Sequence, residues 1–309
     1  GLARILRYSP RTRTTALPVE SISRSSADQR KGRSGRVQNG VCIRLYTEED
    51  YESRPLYTSP EILRSNLAEV ILRMISLKLG DIDRFPFIDR PASKSISDGF
   101  ELLKELGAIR ETGAKGKKKE KRRYSLTATG RLMAKIPVDP RISRMLIEAR
   151  REGCLKEIII IAAALSIQDP RERPLEKPEE ADRAHGRFAD PLSDFIGLLN
   201  IWNRYQEEWG REKSMGKLKK FCKTNFLSFK RMREWRDIFF QLTTILEEHN
   251  MAIESGIHLN KNSGPTGKAD RFSPLYRAIH RSILAGFLSN IAVKKEKNIF
   301  RAAKNREVM

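Results

Sequence analysis

Cysteine is scarce in this chain and badly placed for chemistry. Only Cys42, Cys154 and Cys222 occur among 309 residues, far apart and without CxxC spacing. That excludes a disulfide framework and a cysteine-based zinc site, and the three are expected to be buried thiols of a reducing compartment. Histidine is nearly as rare: His185, His249, His258 and His280 are scattered. No metal site is expected. Long apolar runs are missing too. The longest, IIIIAAAL at 158–165, is about half of what a membrane span of ~20 residues needs. No signal-peptide pattern opens the sequence, so a cytoplasmic location is expected. Acid is the minority charge, with 39 Asp and Glu against 60 Lys and Arg and a formal net charge of +21. With 39% hydrophobic and 32% charged residues the composition is that of a globular chain. The basic excess favours a polyanionic partner, nucleic acid above all, over its rival, an anionic membrane surface.

The length allows two or three modules. Residues 3–22 have the pattern of a strand, a turn at Ser9-Pro10 and a return strand, with Arg11 and Arg13 at the tip. The dipeptide Asn39-Gly40 signals a hairpin turn, and VCIRLY at 41–46 a β-branched strand. Together they suggest the last part of an α/β sheet. From Glu61 onward Leu63, Leu67, Val70, Met74 and Leu77 recur at helical spacing as far as Gly80. A second helix is expected to start at Asp98, with Glu101 completing a capping box, and to stop at Gly107. Two short strands, IRE and RRYSL, then flank the basic tip Lys115–Arg123, which holds Lys117, Lys118 and Lys119. Two helices followed by such a hairpin suggest a winged helix. The tip is either a solvated loop or a phosphate contact.

Asp139 and Pro140 open the next helix as N-cap and first residue. LKEIIIIAAALS is apolar nearly all round, hence buried. A polar connector follows, then two amphipathic helices, one carrying Leu192, Phe195, Leu199 and Trp202, the other Met232, Trp235, Phe239, Leu242 and Leu246. Their aromatics are expected in the core rather than on a base-stacking platform. Residues 261–270 look like a flexible loop, RSILAGFLSNIAV like another helix, and IFRAAKNREVM like the opening of a strand module.

The stretch with the most specific chemistry is SADQRKGRSGR, Ser26 to Arg36. Glycine before each of Arg33 and Arg36 would let the backbone turn tightly and come close to a ligand. A guanidinium fork matches phosphate oxygens with two hydrogen bonds. Two forks three residues apart would lie on one side of a helical turn, a geometry suited to a transferring phosphoryl group. A solvated basic turn is the bland alternative.

SADQRKGRSGR resembles motif VI of the DEAH-box ATP-dependent RNA helicases of superfamily 2. YSPRTRTTALPVESIS resembles the hairpin of that family's second RecA-like domain. SPEILRSNLAEVILRMISLKLGDIDRFPF resembles the lead-in to its winged helix, and YSLTATGRLMAKIPVDPRISRML the next junction. ALSIQDPRERP and NFLSFKRMREWRDIFFQL resemble the helicase-associated helical region of the bacterial, HrpA-type branch. The resemblance covers essentially the whole chain, in order.

The resemblance implies a mixed, mostly α fold. Residues 1–55 would be the C-terminal part of a second RecA-like α/β domain, 56–138 a winged helix, 139–275 a ratchet-like helicase-associated bundle, and 276–309 a linker helix and the start of an OB-fold. It implies that Arg33 and Arg36 act as arginine fingers toward ATP, that Gln29 lies near the nucleotide or its attacking water, and that Arg30, Gly32 and Gly35 complete the nucleotide-binding motif. It implies single-stranded RNA bound through its backbone, with Arg11, Arg13 and Ser23 as contacts beside the basic tip; Ser23 and Ser26 have local hydrogen bonds as their alternative. The family's phosphate-binding loop and DEAH metal site are absent from the sequence. A fragment running from just after motif V is therefore expected, with ATP and Mg²⁺ held in part by a missing N-terminal RecA-like domain and no hydrolysis by the fragment alone. Ribosomal or ribonucleoprotein partners remain open. Two other readings also remain: a non-enzymatic winged-helix nucleic-acid-binding protein, and a DNA-acting helicase of the same family.

Overall fold

The computed structural model describes residues 1–10, 14–112, 123–212, 214–251, 273–303 and 306–308. It divides into two compact units, Gly1–Ala134 and Lys135–Met309. Both are mostly helical with small antiparallel sheets.

The first unit opens with β1 (Leu2–Arg4), β2 (Arg7–Ser9), β3 (Thr14–Ala16) and β4 (Val19–Ser21). The β2–β3 ladder places Tyr8 opposite Thr15, and the β1–β4 ladder places Ala3 opposite Glu20. The bond from Ile5 N to Pro18 O, 3.1 Å, joins the two ladders into one long hairpin stem. Then come α1 (Arg24–Gly32), α2 (Glu48–Ser53), a 3₁₀ turn at Glu61–Leu63, α3 (Ala68–Ser76) and α4 (Ser93–Glu105). Strands β5 (Ile109–Glu111) and β6 (Tyr124–Leu126) pair antiparallel, and α5 (Ala128–Met133) ends the unit. Its core is where α3 and α4 cross, with Leu67, Ile71, Leu102, Leu103 and Leu106 buried. At this crossing a Cβ on Gly99 would come within 2.7 Å of the Ile71 side chain, so glycine sets how closely the helices approach.

Five local expectations need correction here, the first being that the helix expected from Glu61 to Gly80 spans only Ala68–Ser76, with Leu63 in the separate 3₁₀ turn. The α4 helix starts five residues before Asp98, which is an interior residue rather than the cap. The reason is packing: Ile96 buries one turn earlier, on the same face as Gly99 and Leu103. The VCIRLY segment forms no strand, and Gly40 closes no hairpin. Cys42 is exposed.

The second unit holds α6 (Pro140–Glu152), α7 (Leu155–Leu165), α8 (Pro178–Gly186), α9 (Asp194–Glu212), α10 (Met215–Thr224), α11 (Phe229–Glu248) and α12 (Pro274–Gly286), then β7 (Ala292–Glu296), β8 (Ile299–Ala302) and β9 (Arg306–Val308) in one antiparallel sheet. Asp139 caps α6, its carboxylate accepting from Arg141 N at 2.8 Å, and Gly153 ends the helix in the left-handed region at φ 72°. Helix α7 is the centre, buried from Ile158 through Ala163. Trp235 of α11 donates to Ile160 O of α7 at 2.9 Å and packs against Trp202 of α9, so these aromatics are core. Helix α12 crosses α6 at Gly286, where a Cβ would collide with Arg141 O. The expected helix RSILAGFLSNIAV ends at Gly286, and β7 begins within the same stretch. The flexible loop expected at 261–270 lies outside the described residues.

Burial pushes the Cys154 thiol of this core up to about 11 and the Cys222 thiol up to about 12, from an ordinary value near 9. Both are acids whose folded pKa is raised. The fold therefore keeps this contribution to stability below about pH 9 and loses it as pH rises toward the folded values. The urea midpoint of wild type is expected to fall more steeply between about pH 9 and 11 than that of a Cys154→Ala/Cys222→Ala variant. Parallel pH slopes would contradict this.

Candidate nucleotide and nucleic-acid surface

Helix α1 is fixed from its inner side. Ser23, 2% exposed, caps it by accepting from Ser26 N at 3.3 Å. Its hydroxyl also bonds to those of Ser25, Ser26 and Thr58 at 3.0–3.1 Å. The Ser23 side chain thus faces inward and is taken up by local hydrogen bonds, the alternative to a phosphate contact. The N–H groups of Arg24 and Ser25 donate to Pro55 O and Leu56 O, so these two donors at the start of the helix are already used. In the middle, Asp28 accepts from Arg44 at 2.7 Å and from the Tyr51 hydroxyl at 2.9 Å, and the Arg44 guanidinium lies 4.0 Å from the Tyr51 ring centre.

Arg54 does more than sequence patterning suggested. Its guanidinium is buried, pairs with Asp50 at 2.7 Å, donates to Gly1 O at 3.1 Å and lies 4.0 Å from the Tyr46 ring centre. The bond to Arg54 holds the Asp50 carboxyl below its usual range. A cavity of about 560 Å³ opens beside this cluster, lined by Ile22, Ala27, Arg30, Ile43 and Tyr46 among others. It touches Arg30 but not Gln29, Arg33 or Arg36.

The outer side of α1 is bare. Gln29, Arg30, Arg33 and Arg36 are all exposed. Among the described residues no carboxylate lies within ion-pair distance of Arg33 or Arg36. Arg30 spans 3.5 Å to Leu2 O. The two arginines do not share a helical face, because α1 ends at Gly32, Arg33 is its C-cap and Arg36 lies beyond. The chain turns at 33–35 without needing glycine: Gly32 and Gly35 have no positive φ and nothing within 4 Å of an added Cβ. The close approach is at Gly40, where a Cβ would collide with Ser34 O, and glycine there lets the 34–40 loop fold back on itself.

Arg11, Arg13, Lys117, Lys118 and Lys119 lie outside the described residues. A second basic row went unnoticed in the sequence. Helix α10, MGKLKKFCKT, carries four lysines and no acid. Lys219, Lys220 and Lys223 are exposed, as is Lys230 in the first turn of α11. The Lys219 ammonium lies 5.6 Å from the Phe229 ring centre, which brings the two helices' basic faces together. The signal was available: Leu218 and Cys222, spaced i,i+4, are the buried side of a short helix whose other side is lysine.

Chemically, both surfaces suit phosphate-type anions and neither suits a metal. Among the described residues no group of three or more His, Cys, Asp or Glu side chains has metal-binding geometry, and no helix is long and apolar enough to cross a membrane.

Residues 139–228 match the family model for the helicase associated domain (HA2), ratchet-like. That stretch is thus a helicase-associated, ratchet-like helical domain. The chain is 47% identical over 306 residues to the ATP-dependent RNA helicase HrpA homolog of Haemophilus influenzae, and 46% identical over 306 residues to the ATP-dependent RNA helicase HrpA of Escherichia coli. Each alignment covers 99% of this chain and 22% of the relative. Along nearly its whole length the chain is thus similar to one region of HrpA-type helicases, and it spans about a fifth of the length of the curated relatives it matches.

Proposed function

We propose that the chain is a C-terminal region of an ATP-dependent RNA helicase, acting in the cytoplasm, and that it contributes Arg33 and Arg36 to ATP hydrolysis and a basic surface to RNA binding. In this reading residues 1–55 complete a second RecA-like domain and α3, α4 and the β5–β6 pair form a winged helix. The observation that carries the reading is the Gln29–Arg36 stretch: Arg33 and Arg36 are exposed and without acidic partners among the described residues, in a chain matched along 99% of its length by RNA helicases.

The donor set fits a triphosphate. Guanidiniums that no described carboxylate neutralises are available to phosphate oxygens, and the fixed inner side of α1 holds the backbone as far as its C-cap, Arg33. It does not fit the accompanying Mg²⁺, whose carboxylate ligands belong elsewhere in a longer protein. ATP, when bound, supplies the phosphoryl group to be transferred. Arg33 and Arg36 stabilise charge on its oxygens, Gln29 orients the attacking water, and Arg30 supports the turn through Leu2 O.

RNA binding is assigned to backbone contacts from the basic tip and the α10 lysines. Lysine ammoniums are point charges that meet phosphate without reading bases. Changing Lys117, Lys118 and Lys119 to Gln is expected to weaken single-stranded RNA binding equally for all sequences. The slope of log affinity against log salt should become shallower by roughly 0.7 for each phosphate that is no longer neutralised. Titrations across several salt concentrations decide it. Unchanged affinity with parallel lines would make the tip a solvated insertion.

A further inference from the structure

Arg36 lies beyond α1, so the helix alone does not place it. The chain leaves α1 through Ser34, whose N–H and hydroxyl both donate to Lys31 O, at 3.1 and 2.7 Å. At Gly40 it comes back to the same point. A Cβ on Gly40 would collide with both the carbonyl oxygen and the carbonyl carbon of Ser34. Only a residue without a side chain lets the two backbone segments lie so close. The 34–40 loop is thus closed at its neck, and the exposed Arg36 sits inside it. The outgoing limb is then fastened to α1. Arg44 donates from Nη2 to Asp28 Oδ1 at 2.7 Å, the Tyr51 hydroxyl donates to Asp28 Oδ2 at 2.9 Å, and the Arg44 guanidinium lies 4.0 Å from the Tyr51 ring centre. A bond between two ionised groups is short and directional. The Asp28 and Arg44 side chains are 52% and 29% exposed, and a pair so open to water contributes little to stability. Its value lies in where it pins the chain.

We propose that Gly40, Asp28 and Arg44 are positioning residues for ATP hydrolysis. Gly40 closes the loop that carries Arg36, the Asp28–Arg44 pair holds the outgoing limb of that loop on α1, and together they aim the Arg36 guanidinium at the transferring phosphoryl group. This rests on the reading of Arg36 given above. None of the three touches nucleotide in this account. Arg33 needs no such device, because it is the C-cap of α1 and its N–H bonds to Arg30 O. Loss of the loop's closure should therefore act on kcat through Arg36 and leave the binding of ATP and RNA alone.

The test uses the longer helicase proposed to contain this chain. Gly40→Ala forces the neck of the loop open. It is expected to lower kcat for ATP about a hundredfold, the order for a group displaced by about 1 Å, while KM for ATP and affinity for single-stranded RNA stay within about twofold and the urea midpoint does not move. Asp28→Asn keeps an acceptor for the Tyr51 hydroxyl and removes the charge facing Arg44, and should lower kcat about tenfold. Asp28→Glu restores the charge and should recover most of that loss. The arm that ties the effect to Arg36 is the double variant. Added to Arg36→Ala, Gly40→Ala should slow single-turnover phosphate release by no more than about twofold further, since the loop then has no arginine to aim. If Arg36→Ala is slow and Gly40→Ala is not, the positioning proposal is wrong while the reading of Arg36 stands. If Gly40→Ala slows the Arg36→Ala variant as much as it slows wild type, or the urea midpoint falls with turnover, the loop is merely structural and the proposal is overturned. If Arg36→Ala turns over ATP normally, or wild type does not turn it over with RNA, the reading of Arg36 fails and the proposal with it.

Discussion

Arg33→Ala or Arg36→Ala, made in the longer helicase, is expected to lower kcat for ATP by roughly 10³–10⁵-fold, the range for an arginine that stabilises a transferring phosphoryl group. RNA affinity should stay within about twofold. The argument is one of exclusion as much as chemistry. Both side chains are exposed and no described carboxylate pairs with them, so the fold does not depend on them. Exposed substitutions of this kind change stability by only about 0.5 kcal/mol, far too little to account for such a loss in rate. Arg33→Lys is a sharper control. It keeps the charge and removes the planar fork, so turnover should remain well below wild type if two-point contact with phosphate is what matters. Near-normal turnover in the alanine variants would return both residues to the solvated-turn reading, and the case for catalysis would fall.

Much of the helical architecture could be read from spacing, because burial and spacing express the same thing. The Asp139-Pro140 start of α6, the all-round apolar α7 and the aromatic faces of α9 and α11 all appear where their patterns put them. The β5–β6 pair likewise follows its short β-patterned segments. What failed did so for physical reasons. Val41, Ile43 and Leu45 have the alternation of a strand and are 81–94% exposed, but a strand exists only as part of a ladder, and no described strand pairs with this one. Asp98 looked like a cap because Asp-Gly-x-Glu is a capping pattern. Packing of Ile96 against the core starts the helix earlier, and the carboxylate was taken up by Tyr8 instead.

At the site, identity and placement separated. The residue types that hold phosphate were evident in SADQRKGRSGR. Their arrangement was not, since the glycines that suggested a tight turn are open and the tight glycine is Gly40. The inward turn of Ser23 follows from its capping role at α1, a role that Ser-x-x-Ser does not announce. Arg54 and the Tyr8–Asp98 bond were invisible because polar contacts between distant segments leave no period in a sequence. The α10 lysines were overlooked for the opposite reason: a run of lysine looks like a solvated face, and only the buried Leu218 and Cys222 reveal it as one side of a helix.

The second large effect concerns the chain by itself. In the proposed reading it supplies the arginine side of a phosphoryl-transfer site, but it has neither a phosphate-binding GxxxxGK[ST] loop nor a DEAH string, and its described residues hold no metal-binding cluster. Arginines that stabilise a transition state do nothing where the substrate's phosphates and metal are not held in line. The most direct measurement is therefore phosphate release from ATP by two proteins in parallel, the 309-residue chain alone and the longer helicase proposed to contain it, each with and without single-stranded RNA. The isolated chain is expected to stay at background in both conditions, and the longer protein to turn over ATP and to do so faster with RNA. Turnover by the isolated chain, or a longer protein whose turnover ignores RNA, would contradict the account.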